Sequence, residues 1–170
     1  MPKQAYITGS RFKPMMTGGR GKSEWGKTSK KLAITIAAER MDILDIDLDG
    51  YTSAAMQRGL EQEENAIIAY ERKKFTEVHS KQVFQQHPKY DYVGCTPDGL
   101  IGEDGLLEVK NPNTDRHLIH LINGWQIKEY KDQIYGSLWA TGRKYCDFVS
   151  YDSRIKDESY ALNITRIVRD

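Results

Sequence analysis

Apolar positions recur along this chain with two different periods, and the switches between them mark out its elements. From about Ser29 to Leu44 they fall at helical spacing. They do so again from Thr52 or Ser53, either of which can cap a helix, to about Phe75. Between Tyr90 and Asn111 the period drops to two. There Leu107 and Val109 share one strand face while Glu108 and Lys110 share the other. The turn Gly102-Glu103-Asp104-Gly105 lies between short apolar pieces and predicts a tight β-hairpin. A further helix is expected over roughly Asn123 to Thr141. Strands are expected at Cys146–Tyr151 and Tyr160–Ile167, the second alternating Tyr160, Leu162 and Ile164. Residues 11–28, rich in Gly, Lys and Met, read as an irregular, mobile loop, and 76–87 fit no period beyond a short strand at Gln82–Gln85. Helices, strands, helix, strands is the order of an α/β (α+β) fold, a mixed central β-sheet flanked by helices in one domain over 1–170.

The hairpin carries the chemistry. Asp98 sits in the turn Thr96-Pro97-Asp98-Gly99, and nine residues separate it from Glu108. Folding the hairpin brings the two carboxylates and the Lys110 ammonium to one patch, a metal site with a base or charge stabiliser beside it. Taken singly, a P-D-G turn is common and an E-x-K pair is usually a solvated strand face. Glu63 falls within the apolar arc of its helix, between Leu60, Ala66, Ile67 and Tyr70. A carboxylate there is costly unless paired, hydrogen-bonded or metal-bound. In isolation a Glu held by Arg or Tyr explains it equally well; beside Asp98 and Glu108, a metal cluster explains it better. Gln133 shares a helical face with Tyr130, Ile134 and Ser137, and is either a satisfied core amide or a donor for a phosphate or water.

Composition narrows the class. Apolar residues make up 39% and charged residues 29% of 170, with a net charge of +1, so basic groups must cluster if they are to meet nucleic acid. They do at Lys22, Lys27, Lys30 and Lys31, and at Arg72, Lys73 and Lys74, although any one cluster is more simply a solvated helix end. No run is long enough to span a membrane, and no signal-peptide pattern opens the chain. Cys95 and Cys146 read as small core residues in a reducing cytoplasm. Three acids without a well-placed His or Cys suit Mg²⁺, with Mn²⁺ able to replace it, over Zn²⁺; one ion or two stays open. His117 and His120 are expected on the surface.

Two other motifs lack their context. Gly21 to Thr28 matches G-x4-G-K-[ST], but a phosphate-binding loop follows a buried strand, and Arg11 to Arg20 is polar. A basic loop touching DNA backbone through Lys27, with Trp25 stacking on a base or anchoring the loop, fits better. Asp45-x-Asp47-x-Asp49-Gly50 begins like a calcium loop, but Met56 stands where its last glutamate belongs.

Five blocks in order resemble the phage lambda exonuclease family of viral recombination nucleases, within the PD-(D/E)XK superfamily. They are Ile7-Thr8-Gly9-Ser10; Arg58-Gly59 with Glu63 and Asn65-Ala66; Cys95 to Leu100; Leu107-Glu108-Val109-Lys110 with Pro112 and Thr114; and Gln133 with Ser137-Leu138-Trp139 and Thr141, leading to Tyr151-Asp152. The resemblance implies Mg²⁺ held by Asp98, Glu108 and the Val109 carbonyl, with Glu63 directly or through water. It implies that Lys110 orients or deprotonates the attacking water and that Gln133 holds Lys110 or a phosphate oxygen. Ser10 and Thr96 match positions that bind a terminal 5′-phosphate. Lys3 stands where the family has an arginine, which supplies charge without a bidentate fork.

The expected function is therefore a Mg²⁺-dependent 5′-to-3′ exodeoxyribonuclease that resects one strand from double-stranded DNA ends and leaves a 3′ overhang for recombination. The resemblance also implies a homotrimeric ring and a single-strand annealing partner. A structure-selective or nicking endonuclease, a non-catalytic DNA-binding accessory and an NTPase are the alternatives.

Overall fold

The computed structural model describes residues 5–19, 25–41 and 54–169, with backbone alone at 54–61 and 125–126. Lys3 and the Asp45–Gly50 stretch lie outside the described residues. The chain divides into two compact units, one from Met1–Leu48, Phe84–Thr96 and Lys131–Gly142, the other from Asp49–Val83, Pro97–Tyr130 and Arg143–Asp170.

The first unit holds helices α1 (Gly9–Met15) and α2 (Lys27–Arg40), and most of α5 (Trp125–Thr141). It also holds a short antiparallel ribbon of β2 (Gln85–Gln86) and β3 (Gly94–Cys95). Its core is Phe12, Val93, Cys95 and Ala140. Phe12 reaches α5 because position 136 is glycine; a Cβ there would lie 2.2 Å from the Phe12 ring. Glu39 of α2 is buried and takes both guanidinium nitrogens of Arg11 at 2.6 Å, with the Ala5 amide beside them. Arg11 holds its carboxyl below the usual carboxylate range.

The second unit is a five-stranded mixed sheet. Its strands are β1 (Val78–His79), β4 (Gly99–Ile101), β5 (Gly105–Lys110), β6 (Tyr145–Tyr151) and β7 (Leu162–Val168), in the spatial order β1-β4-β5-β6-β7. All pairs are antiparallel except β5 with β6. That parallel pair needs a long crossover, supplied by α4 (Thr114–Asn123) and α5. Helix α3 (Ala54–Lys74) covers one sheet face and buries Ala66, Ile67 and Tyr70 against Leu107, Val109, Val149 and Leu162. Each such aliphatic side chain contributes roughly 1.5–3 kcal/mol of transfer free energy. The hairpin β4–β5 is the one the sequence predicts, with Gly99 paired to Leu107. Position 99 must be glycine, since a Cβ would stand 2.1 Å from Val78 Cγ1.

Several expectations need correction. Residues 9–15 form α1 where a loop was expected from residue 11, and Gly18 pairs with Trp25 across an antiparallel bridge. Of the expected strand at Gln82–Gln85 only Gln85 is extended, in β2, and β1 lies before it. Tyr160 belongs to a one-turn helix, α6 (Glu158–Ala161), because Asp157 caps it through the Ser159 amide at 2.9 Å. Helix α4 was not foreseen, and it reverses the expected placement of its histidines. His117 and His120 are 0% and 1% exposed, while Leu118, Ile119 and Ile122 face outward. The sheet face opposite α3 presents polar partners to them: His117 meets Ser150 Oγ at 2.8 Å and the Tyr160 carbonyl at 2.6 Å. Both cysteines are buried, as expected.

Candidate active site

The site grows out of the β4–β5 hairpin. Asp98 precedes β4, and its carboxylate reaches across to accept the Val109 amide at 2.6 Å. This bond fixes the acid against β5, within electrostatic reach of Glu108 and Lys110. Strand alternation turns both of those side chains away from the α3 core, as the sequence requires. Lys110 Nζ is ion-paired to Glu108 Oε1 and sits 4.9 Å from the centre of the Tyr130 ring. Glu108 is almost wholly buried.

The electrostatics are lopsided. Burial, and next the charge of Glu108, push Asp98 up to about 8. Lys110 and the Val109 amide pull the other way without winning. Burial alone would lower Lys110, but Glu108 and then Asp98 overcome it and hold the ammonium charged. Buried Glu108 and half-buried Asp98 thus both draw on the Lys110 ammonium. Cys146 lies within electrostatic reach on the neighbouring strand; burial first, and Glu108 next, raise its thiol, so it stays protonated and a poor ligand.

The donor set fits a hard divalent cation. Carboxylate oxygens and a backbone carbonyl are the ligands Mg²⁺ takes, and a second positive charge is what would bring Asp98 back to its ionised form. Asp98, Glu108 and the Val109 carbonyl are the groups that could hold it. Glu63 is half-buried on α3, and its charge is felt at Asp98, but its Oε1 accepts from Gln82 Nε2 at 2.7 Å. Among the described residues no three of His, Cys, Asp and Glu stand close enough to ligate one ion together. Past the end of β5, a cavity of about 110 Å³ has Gln62, Asn111, Pro112, Tyr151, Asp152 and Arg154 among its lining residues. Asp152 there is bound by Arg154 at 2.7 Å and Thr114 at 2.6 Å; burial works against ionisation, yet these partners bring it down to about 2.

The remaining candidates gather in the first unit. Ser10 is exposed at the start of α1, and the neighbouring Gly9 lets the Gln133 side chain approach; an added Cβ would meet Gln133 Cγ at 3.3 Å. Thr96 follows Cys95, whose thiol contacts the Ser137 carbonyl, one turn along α5 from Gln133. Ser10, Thr96 and Gln133 therefore group around α5, and Asp98, Glu108 and Lys110 group on the sheet. Trp25 is half exposed and Lys27 opens α2 at the surface. The element before that helix is α1, not a strand, which removes the context a phosphate-binding loop requires. Sequence reasoning missed the Val109 amide as the group that positions Asp98. The signal was available: hairpin register places that amide opposite the turn.

Comparison with known proteins identifies the family and agrees with the fold. The family model for YqaJ-like viral recombinase domains matches residues 2–144. An alkaline exonuclease from Laribacter hongkongensis is 32% identical, with a TM-score of 0.81 over 99% of this chain and 79% of that one. Its complex with dAMP gives 33% identity and a TM-score of 0.79 over 98% and 78%. A phage-related exonuclease from Haemophilus somnus 129PT shares the fold at 14% identity, with a TM-score of 0.73 over 97% of this chain and 85% of that one. No curated protein matches.

Proposed function

From its membership of the YqaJ-like viral recombinase domains, the family to which this chain belongs, we propose that the protein is a DNA exonuclease of recombination, cation-dependent and 5′-to-3′ in polarity. The observation that carries the reading is the acid pair on the β4–β5 hairpin. Half-buried Asp98 lies against buried Glu108, Asp98 is pushed up to about 8, and Lys110 is ion-paired to Glu108 beside it. A fold does not leave two acids in that state for its own stability.

Asp98, Glu108 and the Val109 carbonyl would hold Mg²⁺, with Mn²⁺ able to replace it and Glu63 reached directly or through water. When bound, the ion supplies positive charge against the phosphodiester and lowers the pKa of water. The chain's own residues do the rest. Lys110, kept protonated by its two carboxylates, donates to the phosphate oxygen on which negative charge grows. The Val109 amide keeps Asp98 in place while charge shifts around it. Ser10, Thr96 and Lys3 would receive a terminal 5′-phosphate, with Gln133 beside them; Trp25 and Lys27 would touch the DNA backbone or a terminal base. The relative from Laribacter was solved with dAMP, a mononucleotide such as end-wise hydrolysis would release.

We take the same family resemblance as the ground for a homotrimer and for a single-strand annealing partner; light scattering on the purified chain tests the first. The experiment that tests the reaction is product analysis on end-labelled linear duplex with and without Mg²⁺, alongside a covalently closed circle. Mononucleotides from the 5′ strand, from linear DNA alone and with Mg²⁺ alone, are the expected result. Cutting of the circle would make it an endonuclease.

A further inference from the structure

One residue is placed at a cost that the fold does not recover. Helix α3 ends at Lys74, and Phe75 follows it with φ +51, the left-handed conformation that terminates helices and that glycine adopts freely. The turn is imposed by its surroundings. Glu71 Oε1 takes the Val78 amide at 2.7 Å, and the Thr76 amide returns to the Glu71 carbonyl, so position 75 has to reverse the chain. An apolar residue just past a helix end commonly packs back on the last turn. Phe75 does not: it is 97% exposed, more than any other large apolar residue among the described ones. A strained backbone and a fully hydrated ring in one residue are two penalties with no packing in return, the combination expected where a side chain serves a ligand.

The surroundings indicate which ligand. The last turn of α3 carries Arg72, Lys73 and Lys74 immediately before the ring. Lys73 is tethered to the Leu162 carbonyl at 3.4 Å, while Arg72 and Lys74 are exposed. Of the nearby carboxylates, Glu71 is engaged by the Val78 amide, leaving Glu77 at the surface. The helix dipole accounts for cations at this end but not for an aromatic. A protein-binding patch would set the ring among other apolar groups, whereas its neighbours are Lys74 and Thr76. A lone aromatic face beside cations is how proteins hold unpaired nucleic acid, one base on the ring and its phosphates on the cations.

We propose that Phe75, with Arg72 and Lys74, is a stacking platform for unpaired DNA. It lies on the helix that carries Glu63, and twelve residues of helix place it about 18 Å along the axis from that acid. This rests on the nuclease reading above: resection exposes a lengthening single strand, and a platform at that distance would hold that strand and not the scissile bond.

The test is the affinity of the intact chain for a fluorescein-labelled oligothymidylate by anisotropy, in buffer with EDTA. Phe75→Gly and Phe75→Trp are compared with the parent, and each protein is melted in parallel. Phe75→Gly should bind about tenfold more weakly. It should melt no lower than the parent, because it loses no packing and sheds the strained φ. Phe75→Trp should bind at least as tightly as the parent. Unchanged affinity in Phe75→Gly overturns the proposal, and so does a lower melting temperature, which would make the ring structural. Binding is read without divalent cation, so a parent that failed to hydrolyse DNA would refute the nuclease reading and leave this measurement standing.

Discussion

Two aspartates of the sheet unit, Asp98 and Asp147, are opposites in the fold. Asp147, in the middle of β6, is 0% exposed and fully partnered. Arg166 grips it with two nitrogens at 2.7 and 2.8 Å, and the Tyr70 hydroxyl donates to it at 2.6 Å. Burial opposes its charge, but Arg166 and Tyr70 bring its pKa below the ordinary carboxylate value. Asp98 has a backbone amide and half a claim on one lysine, and it is raised. Desolvation works against both charges, yet one is a structural acid and the other a poised one. What separates them is whether the protein itself completes the charge balance.

That contrast can be broken most decisively at Lys110. Lys110→Ala should cut hydrolysis per folded molecule roughly a hundredfold to ten-thousandfold. Asp147→Ala should lower stability instead. Removing one partner of a buried pair costs about 3 kcal/mol here, the low end because Arg166 is half exposed. Urea denaturation would read this loss, and cleavage per folded molecule should be unchanged. An Asp147 variant that folds normally but does not cut would erase the distinction.

Proton linkage sharpens it next. Asp98 is raised in the fold, so its contribution to stability is present at acid pH and is lost as pH rises through about 8. Asp147 is lowered, so its contribution is present above the ordinary carboxylate value and is lost as pH falls below it. In cation-free buffer, the Asp98 share of the melting temperature should therefore fall as pH rises from the ordinary carboxylate value toward about 8 and level off above it, and Asp98→Asn should flatten that slope. Proton and cation compete for Asp98, so the rise in melting temperature given by Mg²⁺ should shrink as pH drops below about 8. A rise independent of pH would detach Asp98 from the ion.

The smallest effect is expected at His120. Neither ring nitrogen has a hydrogen-bond partner among the described residues, and burial, then His117, lowers its pKa. Its stabilising share is complete above the usual imidazole value and is lost as pH falls below it. His120→Leu should gain about 1 kcal/mol and remove that slope, measured by urea denaturation on either side of neutrality.

How much of this was visible beforehand depended on distance along the chain. The hairpin that sets Asp98 against Glu108 and Lys110 is local, and alternation plus turn residues dictate it. Glu63 lay on the correct helix, but its bond to Gln82 depends on a backbone turn at φ +54 that no periodicity announces. Helix α4 was invisible because it inverts the usual logic. The His117 imidazole is satisfied by Ser150 and the Tyr160 carbonyl on segments more than thirty residues away, and His120 is buried beside Phe148, so Leu118, Ile119 and Ile122 are left to face outward. Asp147 could have been suspected as a charge inside the run Cys146 to Tyr151, but its partner Arg166 is fixed by the β6–β7 register, a long-range fact.

The parallel pairing of β5 with β6 has a consequence for how the molecule comes into being. Asp98 and Glu108 need only a short hairpin to meet, and hairpins close in microseconds. The strand that buries them arrives after the whole crossover has been made and folded back, and such non-local pairings are slow. During synthesis the two anions therefore meet in the open, where water and ions screen their repulsion. They are sealed in only when β6 docks, so a divalent ion present at that moment should speed the docking.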